Sequence, residues 1–196
     1  PDARVGVAHH YRGFLPAHPW LPTDSLAANS LSAAFNDSFP RAIATGRLKL
    51  PFYQASLPEA AGTQDFFGLN YYTGENVLLD LFKPRQFFHR RFYRRDAALS
   101  QHGFLDSRPD VFWKALKWAR GYDLPILITE NGWEDAGDDT RPDYMVQHLK
   151  KLWWAANSNW RVEGYFHWTL VDNFEWSAGW TLRFGLWGLD ENNQQR

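Results

Sequence analysis

With 196 residues the chain is long enough to bury a core of its own, and a formal net charge of −1 gives it no drive toward nucleic acid or an anionic membrane. The absence of cysteine excludes a disulfide framework, a thiolate metal site and a cysteine nucleophile. Aromatic residues reach 17%, with 11 tryptophans, several beside Gly, Asn, Asp and Glu as in Asn131-Gly132-Trp133-Glu134, a mixture that suits a pocket better than a uniform core.

Arg4-Val5-Gly6-Val7-Ala8-His9 reads as a short buried strand running into a proline-punctuated loop from Phe14 to Pro22. Asp24 or Ser25 is placed to cap a helix with the apolar stripe Leu26, Ala27, Leu31, Ala34 and Phe35, and Gly46 ends that region. Asp65 to Tyr72 is a second strand, ending in polar and aromatic groups. Between Glu75 and Arg95, five arginines (Arg85, Arg90, Arg91, Arg94, Arg95) sit among Phe and Tyr. The overall charge argues against a nucleic-acid role, so this segment is expected to be an excursion packed on the rim.

Ser107-Arg108-Pro109-Asp110 opens a helix whose apolar face is Phe112, Ala115, Leu116 and Ala119, closed by Gly121. The apolar run Pro125-Ile126-Leu127-Ile128 is a third strand, ending in Thr129-Glu130-Asn131-Gly132. Arg141-Pro142 opens another helix, with Met145, Leu149, Leu152 and Ala156 at helical spacing, and Val162 to His167 is a fourth strand. Strands alternating with helices imply a parallel sheet covered by helices. Four such units make about half of an eight-fold barrel, whose usual size is about 250 residues. No linker divides residues 1–196, and no apolar run approaches the roughly 18 residues of a membrane span. No signal peptide is visible; the chain opens at Pro1 rather than Met, so a removed leader stays open. A cytoplasmic location is the favoured expectation.

Glu130 is the leading functional candidate. The end of a buried strand is rigid enough to aim a carboxylate, and cleavage of a glycosidic bond needs two carboxyl groups flanking the anomeric carbon. The competing reading is a solvated loop glutamate or a helix cap. Asn70 and Tyr72 alternate onto one side of their strand, and a Tyr72 hydroxyl donating to Glu130 would hold its rotamer; the alternative is that Tyr72 only packs. Trp168, Glu175 and Trp176 combine flat rings with a bidentate acceptor, which fits the apolar faces and hydroxyls of a sugar. Their competing reading is a tryptophan-rich core plug with Glu175 paired to Arg183. His10, at a strand end, is placed to line a pocket, whereas His167 is expected on the side opposite Trp168. H-E-x-x-H, G-x-G-x-x-G, P-loop and G-x-S-x-G patterns are absent, so neither metal nor cofactor is implied.

Three blocks together resemble glycoside hydrolase family 1, the β-glucosidase type: Phe67-Gly68-Leu69-Asn70-Tyr71-Tyr72-Thr73, Ile128-Thr129-Glu130-Asn131-Gly132, and Trp168 through Trp176 continuing to Arg183-Phe184-Gly185. The helix from Arg141 to Leu152 is similar to the family's R-P-x-Y-x-x-x-H-L segment. The resemblance covers essentially the whole chain. It implies the C-terminal half, strands five to eight, of a (β/α)8 TIM barrel, and retaining hydrolysis of β-linked glucosides or related oligosaccharides. It further implies that Glu130 is the nucleophile, Tyr72 its hydrogen-bonding partner and Asn70 a nearby pocket residue. Trp168 would be the sugar platform, Glu175 and Trp176 the hydroxyl-holding groups, and Phe184 a wall; His10 stands where many relatives carry Asn.

The departure is that the family's acid/base block, Thr-x-Asn-Glu-Pro, is absent. The missing N-terminal half, or a second chain, is therefore the expected partner, and the end at Asn192–Arg196 is expected to be cut short of a last helix. Two further readings stay open: a non-catalytic carbohydrate-binding protein, and a half barrel that pairs with itself.

Overall fold

The computed structural model describes residues 3–189. The elements in chain order are β1 (Gly6–Pro16), α1 (Pro22–Ser32), a π turn (Ala33–Asp37), α2 (Ser38–Thr45), β2 (Arg47–Leu50) and β3 (Tyr53–Ser56). There follow β4 (Phe66–Leu79), β5 (His89–Phe92), α3 (Pro109–Arg120), β6 (Ile126–Asn131), α4 (Arg141–Asn157) and β7 (Val162–His167). The strands β1-β4-β6-β7 form a parallel sheet in that order, with β5 antiparallel on the outer end of β4 and β2-β3 a separate hairpin. The expected end at Asn192–Arg196 lies outside the described residues.

The core is the face of this sheet that the helices cover. Phe67, Leu69 and Tyr71 of β4 alternate with inward-facing residues, and Ile126 and Ile128 of β6 continue the layer. Against them lie Phe112, Ala115, Leu116 and Ala119, the α3 face expected from helical spacing, together with Leu152 and Ala155 of α4. The opposite face carries His10, Asn70, Tyr72 and Glu130. Among the described residues, β1 and β7 have one strand neighbour each, and Val5, Val7 and Phe166 beside or within them are exposed. No described helix is long and apolar enough to cross a membrane.

Several local expectations are corrected. β1 does not give way to a loop at Phe14 but continues to Pro16, which pairs with Val77; proline is tolerated because it ends an edge strand. β4 runs seven residues past Tyr72, paired with β1 on one side and β5 on the other. Asp24 does not cap α1, which starts at Pro22; its buried carboxylate instead accepts from His18 and from the Leu79 amide, tying α1 to β4. Leu26 and Phe35 of the expected α1 stripe are exposed, while Ala27 and Ala28 are buried. Arg108 holds the cap position of α3, with no side-chain capping hydrogen bond. The buried face of α4 is Arg141, Tyr144, His148, Leu152 and Ala155: Leu152 is buried as expected, while Met145, Leu149 and Ala156 of the expected stripe each give way to the residue before it. In the basic segment, the rings of Phe82 and Phe87 project into solvent rather than packing on the rim.

Phe67 sits at the centre of the helix-covered layer, so Phe67→Ala is expected to cost about 3–5 kcal/mol. That corresponds to a thermal midpoint lowered by roughly 10 °C or more in a chain of this size. Phe82→Ala, which removes an exposed ring, leaves the midpoint in place; calorimetry on both variants checks the pair.

Candidate active site

Strict alternation along β6 would point Glu130 toward the helices with Ile126 and Ile128. The register prevents this. Leu69 pairs with Ile128, but the next residue, Asn70, pairs with Glu130, so Thr129 is an extra residue in β6. Such a bulge flips the strand's facing from that point on. Glu130 consequently turns to the open face and Asn131 to the helices. His10, opposite Asn70 on β1, completes a row of three polar side chains, His10, Asn70 and Glu130, across three strands.

The bulge is held on both sides. Thr129 Oγ1 donates to Asn70 Oδ1 at 2.5 Å. Behind the sheet, Asn131 is completely buried: its Nδ2 donates to the Tyr71 carbonyl and to Tyr144 Oη, both at 2.8 Å, and its Oδ1 accepts from Tyr165 Oη at 3.0 Å. Tyr144 Oη in turn donates to the Tyr72 carbonyl at 3.1 Å, linking α4 to the strand that carries Tyr72. Gly132 follows, and only glycine fits: an added Cβ would lie 1.9 Å from the Trp168 carbonyl oxygen.

Tyr72 donates its hydroxyl to Glu130 Oε2 at 2.7 Å. Oε1 accepts no hydrogen bond among the described residues. Trp168 is fixed by its amide, which donates to the Asn131 carbonyl at 3.0 Å, and by its indole N–H, which donates to Glu175 Oε1 at 2.9 Å. The alternative pairing of Glu175 with Arg183 is not the one formed; Arg183 Nη1 reaches Asp172 at 3.2 Å. Phe184 is buried, its ring edge-on to Tyr72 with centroids 6.1 Å apart.

These groups line a cavity of about 380 Å3 into which Glu130, Tyr72, Trp168, Glu175, Trp176, Phe184 and His10 all face. Asn70 is the one candidate not on its wall, its amide oxygen being committed to Thr129. Trp176 reaches the cavity from its margin and is 87% exposed.

Sequence reasoning missed Arg12, Thr73, Phe104 and Leu105, which also line the cavity. Arg12 follows His10 by two along an extended strand, a spacing that marks it for the same face. It holds Glu75 through two hydrogen bonds of 2.8 and 2.9 Å. Phe104 and Leu105 come from a loop with no periodic signal. Among the described residues, no group of three or more His, Asp or Glu side chains is arranged to hold a metal ion.

The model of glycosyl hydrolase family 1 matches residues 1–196. The chain belongs to this family. This family 1 chain is 32% identical to a β-galactosidase of Pyrococcus woesei, over 99% of its own length and 41% of that protein's. It is 33% identical to β-glucosidase A of Thermotoga maritima over 74% of its length and 34% of the relative's. Among solved structures it resembles a β-glycosidase from Pyrococcus horikoshii (TM-score 0.89, 32% identity, 98% of this chain and 45% of the other). It also resembles the β-glucosidase from Thermotoga maritima in complex with glucoimidazole (TM-score 0.84, 27% identity, 100% and 48%). These structures are TIM-barrel glycoside hydrolases. The family 1 chain thus spans less than half the length of the relatives it matches.

Burial governs the protonation of this family 1 site. Desolvation, with the Glu130 hydrogen bond second, holds the Tyr72 hydroxyl protonated far above neutral pH, so it stays a donor. Burial, and then the neighbouring Arg12 guanidinium, push the His10 imidazole down to about 4, which keeps it neutral. Burial pushes His148 to about 4 as well, and burial followed by Arg141 does the same to His167.

All three histidines bind a proton in the unfolded chain near the ordinary value of 6.5, and in the folded chain only near 4. Their contribution to stability is therefore present above the unfolded value and is lost as pH falls through this window. The thermal midpoint is expected to drop between pH 7 and pH 4.5 by a margin that shrinks in the His148→Gln variant. A midpoint that stays level over that range contradicts the assignment.

Proposed function

We propose that the chain is the nucleophile-bearing C-terminal half, strands five to eight, of a retaining β-glycosidase barrel that hydrolyses β-linked glucosides or related sugars. The observation that carries this reading is the 2.7 Å hydrogen bond from Tyr72 to one oxygen of Glu130, beside Trp168, in a cavity that leaves the other oxygen uncommitted. The names of the relatives, β-galactosidases and β-glucosidases, support the same class of substrate.

The sugar lies with its apolar face on Trp168. Glu175, already oriented by the Trp168 indole, accepts from hydroxyls, and the exposed Trp176 closes over from the margin. Phe184 backs Tyr72, and neutral His10 borders the cavity. Glu130 Oε1 attacks the anomeric carbon; the C1–O bond breaks and the leaving oxygen takes the electron pair. Tyr72 withdraws density from Oε2 and fixes the rotamer, so Oε1 is the atom that reacts. A carboxylic acid supplied by a segment outside this chain, an N-terminal half or a second chain, protonates the leaving oxygen and then activates water to release the sugar.

A reagent with a good leaving group needs little acid help. On incubation with 2,4-dinitrophenyl 2-deoxy-2-fluoro-β-glucoside, the chain is expected to gain the mass of one fluorosugar, on the peptide containing Glu130. Glu130→Gln abolishes the adduct. Tyr72→Phe slows its formation by roughly 10- to 100-fold, the worth of a hydrogen bond to a charged group. Sugar binding with no adduct in the folded chain would instead support a non-catalytic carbohydrate-binding protein. An adduct on another carboxylate would remove Glu130 from the mechanism.

A further inference from the structure

Glu134 is fully buried, four residues beyond Glu130, and the chemistry so far leaves it without a role. An interior carboxylate is costly unless its oxygens are satisfied. Here all its donors come from one loop. Oε1 accepts from Ser100 Oγ at 2.6 Å and from the His102 amide at 2.9 Å, and Oε2 meets His102 Nδ1 at 2.9 Å. Ser100 Oγ simultaneously accepts the Leu105 amide at 3.0 Å, while the Ser100 amide donates to the Leu105 carbonyl at 2.9 Å. Gly103, at φ +71°, makes the reversal between them.

The far end of the loop is anchored to β4. The Asp106 amide donates to Thr73 Oγ1 at 2.9 Å, and that hydroxyl donates to the Asp106 carbonyl at 3.1 Å. Residues 99–106 are thus fastened to the two segments that carry Tyr72 and Glu130. What the loop contributes to the cavity is Phe104 and Leu105, two apolar side chains with no group to hold a hydroxyl.

We propose that Glu134 is a positioning residue: by clamping Ser100 and His102 it sets Phe104 and Leu105 as the wall that meets the leaving group, and so sets preference for apolar aglycones. The proposal rests on the reading of Glu130 as nucleophile. Polar contacts for the sugar lie around Trp168 and Glu175, and an apolar wall has affinity for the part of the substrate that lacks hydroxyls.

Two reagents that deposit the same fluorosugar on Glu130 but lose different groups separate the possibilities. With 2-deoxy-2-fluoro-β-glucosyl fluoride the C1–F bond breaks and fluoride leaves with the electron pair; with the dinitrophenyl glycoside a large aromatic phenolate leaves. Glu134→Ala and Phe104→Ala are each expected to raise the half-saturating concentration of the dinitrophenyl reagent roughly tenfold. Labelling by the fluoride reagent should stay within about twofold. The double variant should be no worse than either single one, because both act through one wall. Glu134→Gln, which keeps an acceptor oxygen, restores part of the effect.

Independently of any chemistry, Glu134→Ala speeds hydrogen exchange at the His102 and Leu105 amides. Should that variant fail to fold, Ser100→Ala cuts the same link from the loop side and must give the same change in selectivity. Equal slowing with both reagents, additive single effects, or unchanged exchange overturns the proposal. If neither reagent labels the wild-type chain, the nucleophile reading fails and the leaving-group role falls with it, while the exchange arm still decides whether Glu134 clamps the loop.

Discussion

One extra residue in β6 decides which way the reactive carboxylate faces. Ile126 and Ile128 must point at α3 and α4 to build the core, and unbroken alternation would send Glu130 after them into the apolar layer. The bulge at Thr129 exchanges the two faces, sending the charged side chain to the cavity and the neutral amide of Asn131 to the helices. Both destinations are chemically matched. The interior position receives a side chain with two donors and an acceptor, all used; the open position receives the group that is expensive to bury.

From that bulge outward, the site is fixed by hydrogen bonds that span elements rather than by packing alone. Asn131 joins β4, α4 and β7 through Tyr71, Tyr144 and Tyr165, and Tyr144 reaches back to the carbonyl of Tyr72. Arg141, buried at the start of α4, donates to the carbonyls of Trp133, Gly185, Arg183 and Asp135, and so ties the segment after Glu130 to the one that carries Phe184. Trp168 takes its place from the Asn131 carbonyl and from Glu175. A carboxylate, a phenol and an indole from three separate segments are brought together because buried Tyr144 holds the Tyr72 backbone, buried Asn131 holds that of Trp168, and Tyr72 in turn holds Glu130. This is the rigidity that positioned chemistry requires.

Much of this was legible in the sequence for stated reasons. The run Ile126 to Ile128 ending in Thr-Glu-Asn-Gly marked a strand terminus, the spacing of Asn70 and Tyr72 marked a shared face, and Phe112, Ala115, Leu116 and Ala119 marked the buried side of α3. What escaped follows from physics that periodicity does not register. An aliphatic stripe finds Leu152 of α4 but not Tyr144 and His148, whose rings stack at 3.8 Å in the interior, while Trp153 and Trp154 are exposed. The bulge itself leaves no pattern, since its evidence is a pairing with a strand about 60 residues away. Glu134 and the 99–106 loop were invisible for the same reason: a buried carboxylate is distinguished from a surface one only by its partners.

The most direct measurement is a crystal structure of the chain after reaction with the fluorosugar reagent. C1 of the sugar is expected bonded to Glu130 Oε1, with the Tyr72 hydroxyl within hydrogen-bond reach of Oε2 and the ring lying on Trp168. A β6 strand without the extra residue at Thr129, its Glu130 side chain among the helices and away from Tyr72, would contradict this.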